Sequence, residues 1–308
     1  MIITSCPLRI SLAGGSTDLQ DFVDLNGFGS VINFACSART YISLHENNRG
    51  KYIVNCSNHE EVNTIPEIYN DVVRVVLNRF PCPPITITFN TDIHTSGSGL
   101  ASSTSYLIAL LKAVIIYKGL NYSEHAICKL ALELEREFNP KTGYQDPFGC
   151  GFPSLKKMTF FKDGNIDVRH LDYSMFDDYY ISLIWTGVSR SSTVQLTNKE
   201  NKPVLERKIL LDHVASVEEA ILQRDGSKLF KVINAGWKKK KHLFPHILDN
   251  PSIRSIDNLL EKHPDILAHR LCGAGNGGYF LVFSKSKCKF DNSIAINICN
   301  RGIIGTKI

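Results

Sequence analysis

The sequence predicts an α+β fold, because strand-like and helix-like segments are interspersed along its 308 residues. Residues 2–12 and 85–93 alternate apolar with polar side chains, which is typical of half-buried strands. Residues 101–117 are mostly apolar and end before Gly119, and residues 121–138 carry apolar side chains at helical spacing. A chain of this length can form two modest domains or one large one, and it can bury a substantial core.

The composition excludes several classes of protein. With 43% hydrophobic and 21% charged residues the chain is typical of globular proteins, and no run of about 18 apolar residues predicts a membrane span. Nine cysteines without C-x-x-C pairs favour reduced thiols over a disulfide framework or a zinc ribbon. The opening sequence MIITSCPLRIS lacks a basic region and a cleavage site, so we expect no export signal and a cytoplasmic location. The formal net charge of +5 suits anionic substrates but does not predict binding to nucleic acid.

A glycine- and serine-rich segment, residues 94–105, joins a predicted strand to a predicted helix. Glycines at such a junction let backbone N–H groups approach an anion, and the start of a helix adds unpaired donors and a positive dipole end. We interpret the segment as a phosphate cradle. It is not a Walker loop, because no Lys-Ser or Lys-Thr pair follows the glycines. A tight turn capped by serines is the alternative. The proposed cradle residues are Ser96, Gly97, Ser98, Gly99, Leu100, Ala101, Ser102 and Ser103.

A second glycine turn, AGGSTD at residues 13–18, follows the first predicted strand. Leu8 and Ile10 lie on one face of that strand, and Arg9 lies on the other. An arginine beside a turn that ends in Asp18 can hold a phosphate and a sugar hydroxyl. A solvent-facing arginine and an aspartate that caps the next helix are the alternative.

Two carboxylates follow the cradle helix. Glu135 shares a helical face with Ala131 and Phe138, so its side chain is predicted to point inward near the helix C-terminus, where the dipole disfavours it. A metal ion or an arginine would offset that effect, and a boundary-exposed glutamate is the alternative. Asp146 lies in a segment that we predict to be a loop, residues 140–149, where an aspartate before a proline is also a common turn former.

Two further segments stand out in the second half of the chain. The run GWKKKK at residues 236–241 follows a predicted helix at 227–237 and is by itself typical of a solvated helix face. The sequence GAGNGG at 273–278 has the letters of a dinucleotide fingerprint, but a strand follows it and no strand clearly precedes it. We therefore do not predict a Rossmann fold.

These segments resemble, in order, the three motifs of the GHMP kinases, a family that includes galactokinase, homoserine kinase and mevalonate kinase. PLRISLAGGSTD resembles the first motif in the form typical of sugar and heptose-phosphate kinases. GSGLASSTS resembles the second, with Ala101 in place of a glycine and His94-Thr95 in place of a proline, and GAGNGG resembles the third. The QDPFG segment resembles the family's QDQYA, with Pro147 as a departure. The resemblance spans nearly the whole chain.

The resemblance implies a two-domain α+β architecture. An N-terminal domain over residues 1–155, similar to ribosomal protein S5 domain 2, would be followed by a ferredoxin-like domain over residues 156–308. ATP and Mg²⁺ would be the cofactors, and the substrate a small sugar or sugar phosphate. The closest subfamily phosphorylates the anomeric hydroxyl of a heptose 7-phosphate in nucleotide-heptose synthesis.

Residue roles follow from the same resemblance. Asp146 would be the catalytic base, with Arg9 near the reacting oxygen. Ser103 and Glu135 would hold the metal. The substrate-binding residues would be Gly15, Ser16, Asp18, Arg190, Lys238, Gly275 and Asn276.

Three other functions stay open at this point. A kinase of an unphosphorylated sugar such as fucose or galactose would use the same residues. A non-catalytic sugar or nucleotide sensor would keep the fold, although Asp146, Glu135 and the paired serines argue against it. RNA binding would need more interleaved basic and aromatic residues than the chain has. We expect neither a nucleic acid nor a membrane partner, and a homodimer stays open.

Overall fold

The computed structural model describes residues 1–189, 204–287 and 289–308 and contains two β-sheets with helices between and around them. The strands are β1 (Ile2–Ala13), β2 (Phe28–Glu46), β3 (Tyr52–Asn55), β4 (His59–Val62), β5 (Ile85–Thr91), β6 (Leu155–Phe161), β7 (Ile166–His170), β8 (Tyr180–Trp185), β9 (Ile266–Leu271), β10 (Tyr279–Ser284), β11 (Ser293–Ile296) and β12 (Ile304–Lys307). The helices are α1 (Gln20–Asn26), α2 (Asp71–Arg79), α3 (Ser102–Tyr117), α4 (Glu124–Phe138), α5 (Gln145–Gly151), α6 (Val204–Arg207), α7 (Ile209–Leu222), α8 (Gly226–Leu243) and α9 (Pro251–Lys262).

The first sheet has eight strands and is organised around the long strand β2. Its main path runs β12-β1-β2-β5-β3-β4. On the side away from β1, the first half of β2 pairs with β6 and the second half pairs with β5. The predicted boundary between residues 155 and 156 therefore falls at the start of β6, a strand of this sheet. The same sheet also contains β7, which pairs with β6, and β12, which pairs with β1.

The second sheet has four antiparallel strands in the order β11-β8-β10-β9. Numbered along the chain, this is fourth, first, third, second, the order of a ferredoxin-like sheet. Helices α6 to α9 all lie between β8 and β9. The predicted α+β class is confirmed, and the second sheet has the strand order expected for its domain.

A register shift in β1 decides which side chains reach the space between the layers. It lies between Pro7 and Arg9. Cys6, before the shift, packs in the core under α3 and α4, whereas Leu8 and Ile10 pack in the core on the opposite face, against α7 and the second sheet. The predicted faces of β1 are confirmed, because Arg9 points away from Leu8 and Ile10.

Several predicted element boundaries differ from the observed ones. The apolar spacing of residues 66–80 predicts a helix, but α2 begins only at Asp71, because Asn70 caps it by accepting the N–H of Val73 at 3.1 Å. The loop predicted over residues 140–149 ends in α5, where Pro147 is the third helical residue. Proline is tolerated there because the first helical N–H groups have no intrahelical acceptor.

The second half of the chain also departs from prediction. The helix expected to end at residue 237 continues to Leu243, so the whole basic run is helical. The expectation that no strand precedes the last glycines is wrong, because β9 lies directly before them. Its sequence ILAHRL carries a histidine and an arginine that are nevertheless buried, which hides the strand pattern.

Two negative findings concern the described part of the chain. No described helix is both long and apolar enough to cross a bilayer. The eight cysteines that the structure describes are all free thiols, and most of them are buried.

The Arg39 side chain joins three segments of the first sheet. It is 8% exposed. Its Nε donates to the Ser5 hydroxyl at 2.9 Å, its Nη2 to the Gly302 carbonyl at 2.6 Å and its Nη1 to the Arg301 carbonyl at 3.2 Å. Arg39 therefore fixes the segment before β12 against β1 and β2.

We expect Arg39→Met to lower the free energy of unfolding by about 3 kcal/mol, because buried carbonyl groups lose charged donors. Urea unfolding measures this change. Arg49→Met is the matched control, since Arg49 is exposed and makes only a 3.7 Å ion pair with Glu61. It should change stability by less than about 0.5 kcal/mol. Equal effects of the two substitutions would contradict the role given to Arg39.

Candidate active site

A cavity of about 370 Å³ lies where the glycine segments meet α4, α5 and the second sheet. It contains most of the residues that the sequence singled out. Those that line it are Arg9, Gly15, Ser16, Asp18, Gly97, Ser98, Gly99, Ala101, Ser102, Ser103, Glu135 and Asp146.

Arg9 and Asp146, which both line this cavity, form an ion pair. The Asp146 Oδ1 atom accepts from Arg9 Nε at 2.8 Å and lies 2.7 Å from Nη2, while Arg9 Nη1 donates to the Gly99 carbonyl at 2.8 Å. Burial alone would lower the pKa of Arg9, but the charge of Asp146 reverses this and the pKa is raised. Since Arg9 binds only Oδ1, the second carboxylate oxygen receives no hydrogen bond from the described residues.

Glu135 is buried at the same cavity, as its helical position predicted. It is 3% exposed, and its Oε2 accepts from the Thr104 hydroxyl at 2.7 Å. Burial, and after it the negative charge of Asp146, raises the pKa of Glu135 to about 8, although Thr104 and Arg9 act in the opposite direction. The carboxyl group therefore holds a proton at neutral pH unless a cation comes close to it.

The cradle backbone takes the form that its glycines suggest. Ala101 adopts a left-handed conformation with φ +60°, which explains why a glycine is usual at this position of the family motif. Ala101 is also the residue before α3, and it has no side-chain oxygen to cap the helix. The first N–H groups of α3 are thus left for another acceptor. Ser98 and Ser102 line the cavity beside them.

The second sheet closes the cradle from the other side. The Tyr279 N–H, at the start of β10, donates to the Ser98 carbonyl at 3.2 Å. Gly278 has φ +95°, and a Cβ atom there would overlap the same carbonyl oxygen. Only glycine allows this approach without displacing the cradle.

Asp18 is held between two loops. Its Oδ1 accepts the Ser16 N–H at 2.9 Å, and its Oδ2 accepts the Gln145 N–H at 3.3 Å. A Cβ atom on Gly143 would overlap Asp18 Oδ2, so a larger residue there would displace this carboxylate. Gly15 and Ser16 line the cavity next to this carboxylate.

Several predicted site residues lie elsewhere. Ser96 is exposed outside the cavity, and Leu100 packs in the core. Gly275 and Asn276 pack on the turn after α8, where the Asn276 N–H donates to the Ile247 carbonyl at 2.9 Å. Gly273 and Ala274 line the cavity instead. Arg190 falls outside the described residues.

The predicted role of Lys238 needs a correction. Lys238 is exposed and makes a 3.5 Å ion pair with Glu261, away from the cavity. Lys240, two residues later and therefore on the opposite side of α8, lines the cavity and donates to the Gly273 carbonyl at 2.8 Å. Helical periodicity alone could have separated these lysines, once the helix was known to continue through the basic run.

Other cavity residues carried no signal in the sequence. Arg270 lies on the unpredicted strand β9, and its Nη1 donates to the Leu12 carbonyl. Thr104 follows the two serines that were singled out and is the residue that contacts Glu135. Thr142 lines the cavity on the side of α5, next to Gln145 of the QDPFG segment.

Buried polar atoms without a partner are concentrated around this cavity. In the part of the chain that the structure describes, nine buried side-chain atoms lack a hydrogen bond, and six of them belong to cavity residues. These six are Ser11 Oγ, Ser16 Oγ, Asn139 Oδ1, Thr142 Oγ1, Gln145 Oε1 and Arg270 Nε. Since buried polar groups are normally satisfied, their clustering suits a polar ligand that carries hydroxyl groups.

The residues present fit a divalent cation such as Mg²⁺. Mg²⁺ prefers oxygen ligands and is usually held by one or two carboxylates together with substrate phosphates. Glu135 offers a buried carboxylate, and the adjacent Ser103 and Thr104 offer hydroxyl groups on the cavity wall. The described residues contain no group of three or more metal-binding His, Cys, Asp or Glu side chains. The pairing of Ser103 with Glu135 stays a prediction.

Comparison with known proteins agrees with this geometry. Residues 67–153, which include the cradle, Glu135 and Asp146, match the sequence model of the GHMP kinases N terminal domain. The chain carries a GHMP kinase domain. This confirms the predicted family for residues 67–153, and the proteins similar to this chain are sugar kinases. The confirmed fold is that of GHMP kinase structures.

Similar proteins extend the match over almost the whole chain. It is 25% identical to a D-glycero-alpha-D-manno-heptose 7-phosphate kinase of Campylobacter jejuni, over 94% of this chain and 91% of that protein. It is 22% identical to a galactokinase of Thermosipho africanus, over 91% and 88% of the two chains. The crystal structure of a D-glycero-D-manno-heptose 1-phosphate kinase from Bacteroides thetaiotaomicron superposes with a TM-score of 0.77 at 18% identity, covering 100% of this chain and 99% of that one.

The raised pKa of Glu135 predicts a pH-dependent stability in the absence of metal and nucleotide. Between pH 4.5 and about 8 the folded protein keeps a proton that the unfolded chain has lost, so this group makes the fold less stable as the pH rises. Relative to Glu135→Gln, the wild type should lose up to about 1.4 kcal/mol per pH unit within this window.

Urea unfolding at pH 5, 6, 7 and 8 measures this difference. Glutamine keeps an oxygen that accepts from the Thr104 hydroxyl, and it removes the titrating carboxyl group. Parallel stability profiles of the two proteins would contradict the raised pKa.

Proposed function

We propose that this chain is an ATP-dependent sugar kinase whose acceptor is the anomeric hydroxyl of D-glycero-D-manno-heptose 7-phosphate, giving the 1,7-bisphosphate. The single observation that carries the proposal is the Arg9–Asp146 ion pair at the wall of a cavity that also contains the cradle and Glu135. The heptose 7-phosphate kinase among the similar proteins supports this acceptor.

Asp146 has the position of a general base. Its Oδ1 is fixed by Arg9, and its Oδ2 is left to accept the proton of an acceptor hydroxyl. As the acceptor oxygen forms its bond to the terminal phosphorus of ATP, the bond from that phosphorus to the bridging oxygen breaks, the proton moves to Asp146 and ADP leaves. Arg9 also carries a positive charge close to the oxygen that gains the phosphoryl group.

The cradle supplies the donors for the phosphates of ATP. The uncapped start of α3 and the serines beside it offer N–H and hydroxyl groups where negative charge accumulates. When bound, Mg²⁺ would neutralise part of the charge of the phosphates. Glu135 and Ser103 are the residues proposed to hold it.

Asp18 is proposed to bind acceptor hydroxyls. Its carboxylate is fixed by the N–H groups of Ser16 and Gln145, and unpartnered oxygens of Ser11, Ser16 and Gln145 lie around the same part of the cavity. Such an arrangement suits a polyhydroxylated acceptor. A kinase of an unphosphorylated sugar is the second candidate, favoured by the similarity to a galactokinase.

The proposal is tested by ADP release from Mg-ATP with a panel of acceptors. Heptose 7-phosphate, free mannose, fucose, galactose and mevalonate separate the candidates. Turnover confined to heptose 7-phosphate supports the proposed acceptor. Turnover with a free sugar would support the kinase activity and contradict the proposed acceptor. ATP binding without any turnover would favour a sensor.

Asp146→Asn should lower kcat by at least about 100-fold, because the acceptor loses its base. The KM for ATP should change little, since the cradle is untouched. Asp178→Asn, at an exposed position, is the matched control and should keep the wild-type kcat. Near-native turnover of a folded Asp146→Asn protein would remove Asp146 from the mechanism.

Glu135→Gln should raise the Mg²⁺ concentration needed for half-maximal activity by about 10-fold or more, because an amide is a weaker ligand than a carboxylate. A titration of activity against free Mg²⁺ at saturating ATP measures this shift. An unchanged titration curve would exclude Glu135 as a metal ligand.

A further inference from the structure

Arg270 is a buried cation that lacks a carboxylate partner in the described part of the chain. It is 6% exposed and lines the cavity from strand β9. Its Nη1 donates to the Leu12 carbonyl, whereas its Nε has no acceptor among the described residues. A buried guanidinium that meets only a carbonyl is costly, and an anion in the cavity would offset that cost.

Burial of the Arg270 guanidinium disfavours its charged form. It lowers the pKa of Arg270 to about 10, with a smaller opposite contribution from Cys272 and a further lowering by Arg9. The group stays protonated at neutral pH, so its positive charge is present when a ligand enters. Arg9 is paired with Asp146, whereas no ion pair to a carboxylate involves Arg270 among the described residues.

Lys240 brings a second cation to the same wall. Its Nζ donates to the Gly273 carbonyl at 2.8 Å, three residues after Arg270 along the chain. Gly273 also lines the cavity. The two side chains come from different elements, α8 and β9, and both end at the wall formed by the second sheet.

Arg270 lies next to the segment proposed to bind the acceptor and not next to the cradle. Leu12, which holds the guanidinium, lies directly before the AGGSTD turn that ends in Asp18. Ser11, on the same strand, lines the cavity with an unpartnered hydroxyl. The cradle, by contrast, has its own donors at the start of α3.

We infer that Arg270 and Lys240 form an anion subsite that binds the phosphate carried by the acceptor and so selects a sugar phosphate over the free sugar. The inference rests on the proposed kinase function and adds the residues that determine its specificity. The alternative occupant of the same cations is the terminal phosphate of ATP.

The test compares two acceptors that differ only in the phosphate, heptose 7-phosphate and the free heptose. The readout is the ratio of their kcat/KM values, measured with Mg-ATP. In Arg270→Met and Lys240→Met this ratio should fall by about 30-fold or more, since a charge-assisted contact to phosphate is lost. Arg270→Lys, which keeps the charge, should recover part of the ratio. Lys238→Met is the matched control, because Lys238 lies on the other side of α8, and it should keep the wild-type ratio.

Two results would overturn the inference. One is an unchanged ratio in both folded methionine variants. The other is a raised KM for ATP without a change in the ratio, which would give the subsite to the nucleotide. If thermal unfolding shows that Arg270→Met is not folded, the ratio measured for Lys240→Met and Arg270→Lys tests the inference instead.

Calorimetric titration of the protein with heptose 7-phosphate separates this inference from the proposed function. If the wild type turns over no sugar but binds heptose 7-phosphate, and Lys240→Met weakens that binding by about 30-fold, the subsite stands and the kinase proposal fails. If the wild type phosphorylates both sugars and the ratio does not depend on Arg270 or Lys240, the kinase stands and the subsite fails. Absence of both binding and turnover in the wild type contradicts both.

Discussion

The ion pair between Arg9 and Asp146 joins the three parts of the molecule on which the cavity depends. Arg9 belongs to the first strand, Asp146 to a short helix, and the third contact of the guanidinium is the cradle carbonyl of Gly99. The register shift before Arg9 is what turns its side chain to this face of the sheet. A guanidinium is suited to this role because its fixed fork of donors can hold a carboxylate and a carbonyl at once.

Charge is distributed unevenly around the cavity. Glu135 and Asp146 bring two carboxylates to the wall formed by α4 and α5, and a cation between them and the cradle would reduce their repulsion. Arg270 and Lys240 bring positive charge to the wall formed by the second sheet. The positive charge on the wall formed by the second sheet therefore favours an anionic ligand there.

The sequence predicted those parts whose signals are local. Alternation in β1, the apolar run of α3 and the inward face of Glu135 needed no knowledge of distant residues. Arg270 could not be found in this way, because a strand with a buried histidine and arginine lacks the usual alternation. The family resemblance favoured Lys238 and Gly275, whereas Lys240 and Gly273 line the cavity. Helix α8 continues through the basic run, and the turn after α8 packs on Gly275.

The close approach of Gly278 to Ser98 has a consequence for how the protein unfolds. The cradle is part of the first sheet layer, yet its backbone is hydrogen-bonded to the first residue of a strand in the second sheet. A nucleotide held in the cradle would therefore bind tightly only while both sheets are intact. By linkage, its binding energy stabilises both sheets together, and the two halves of the chain should melt as one cooperative unit when the nucleotide is present.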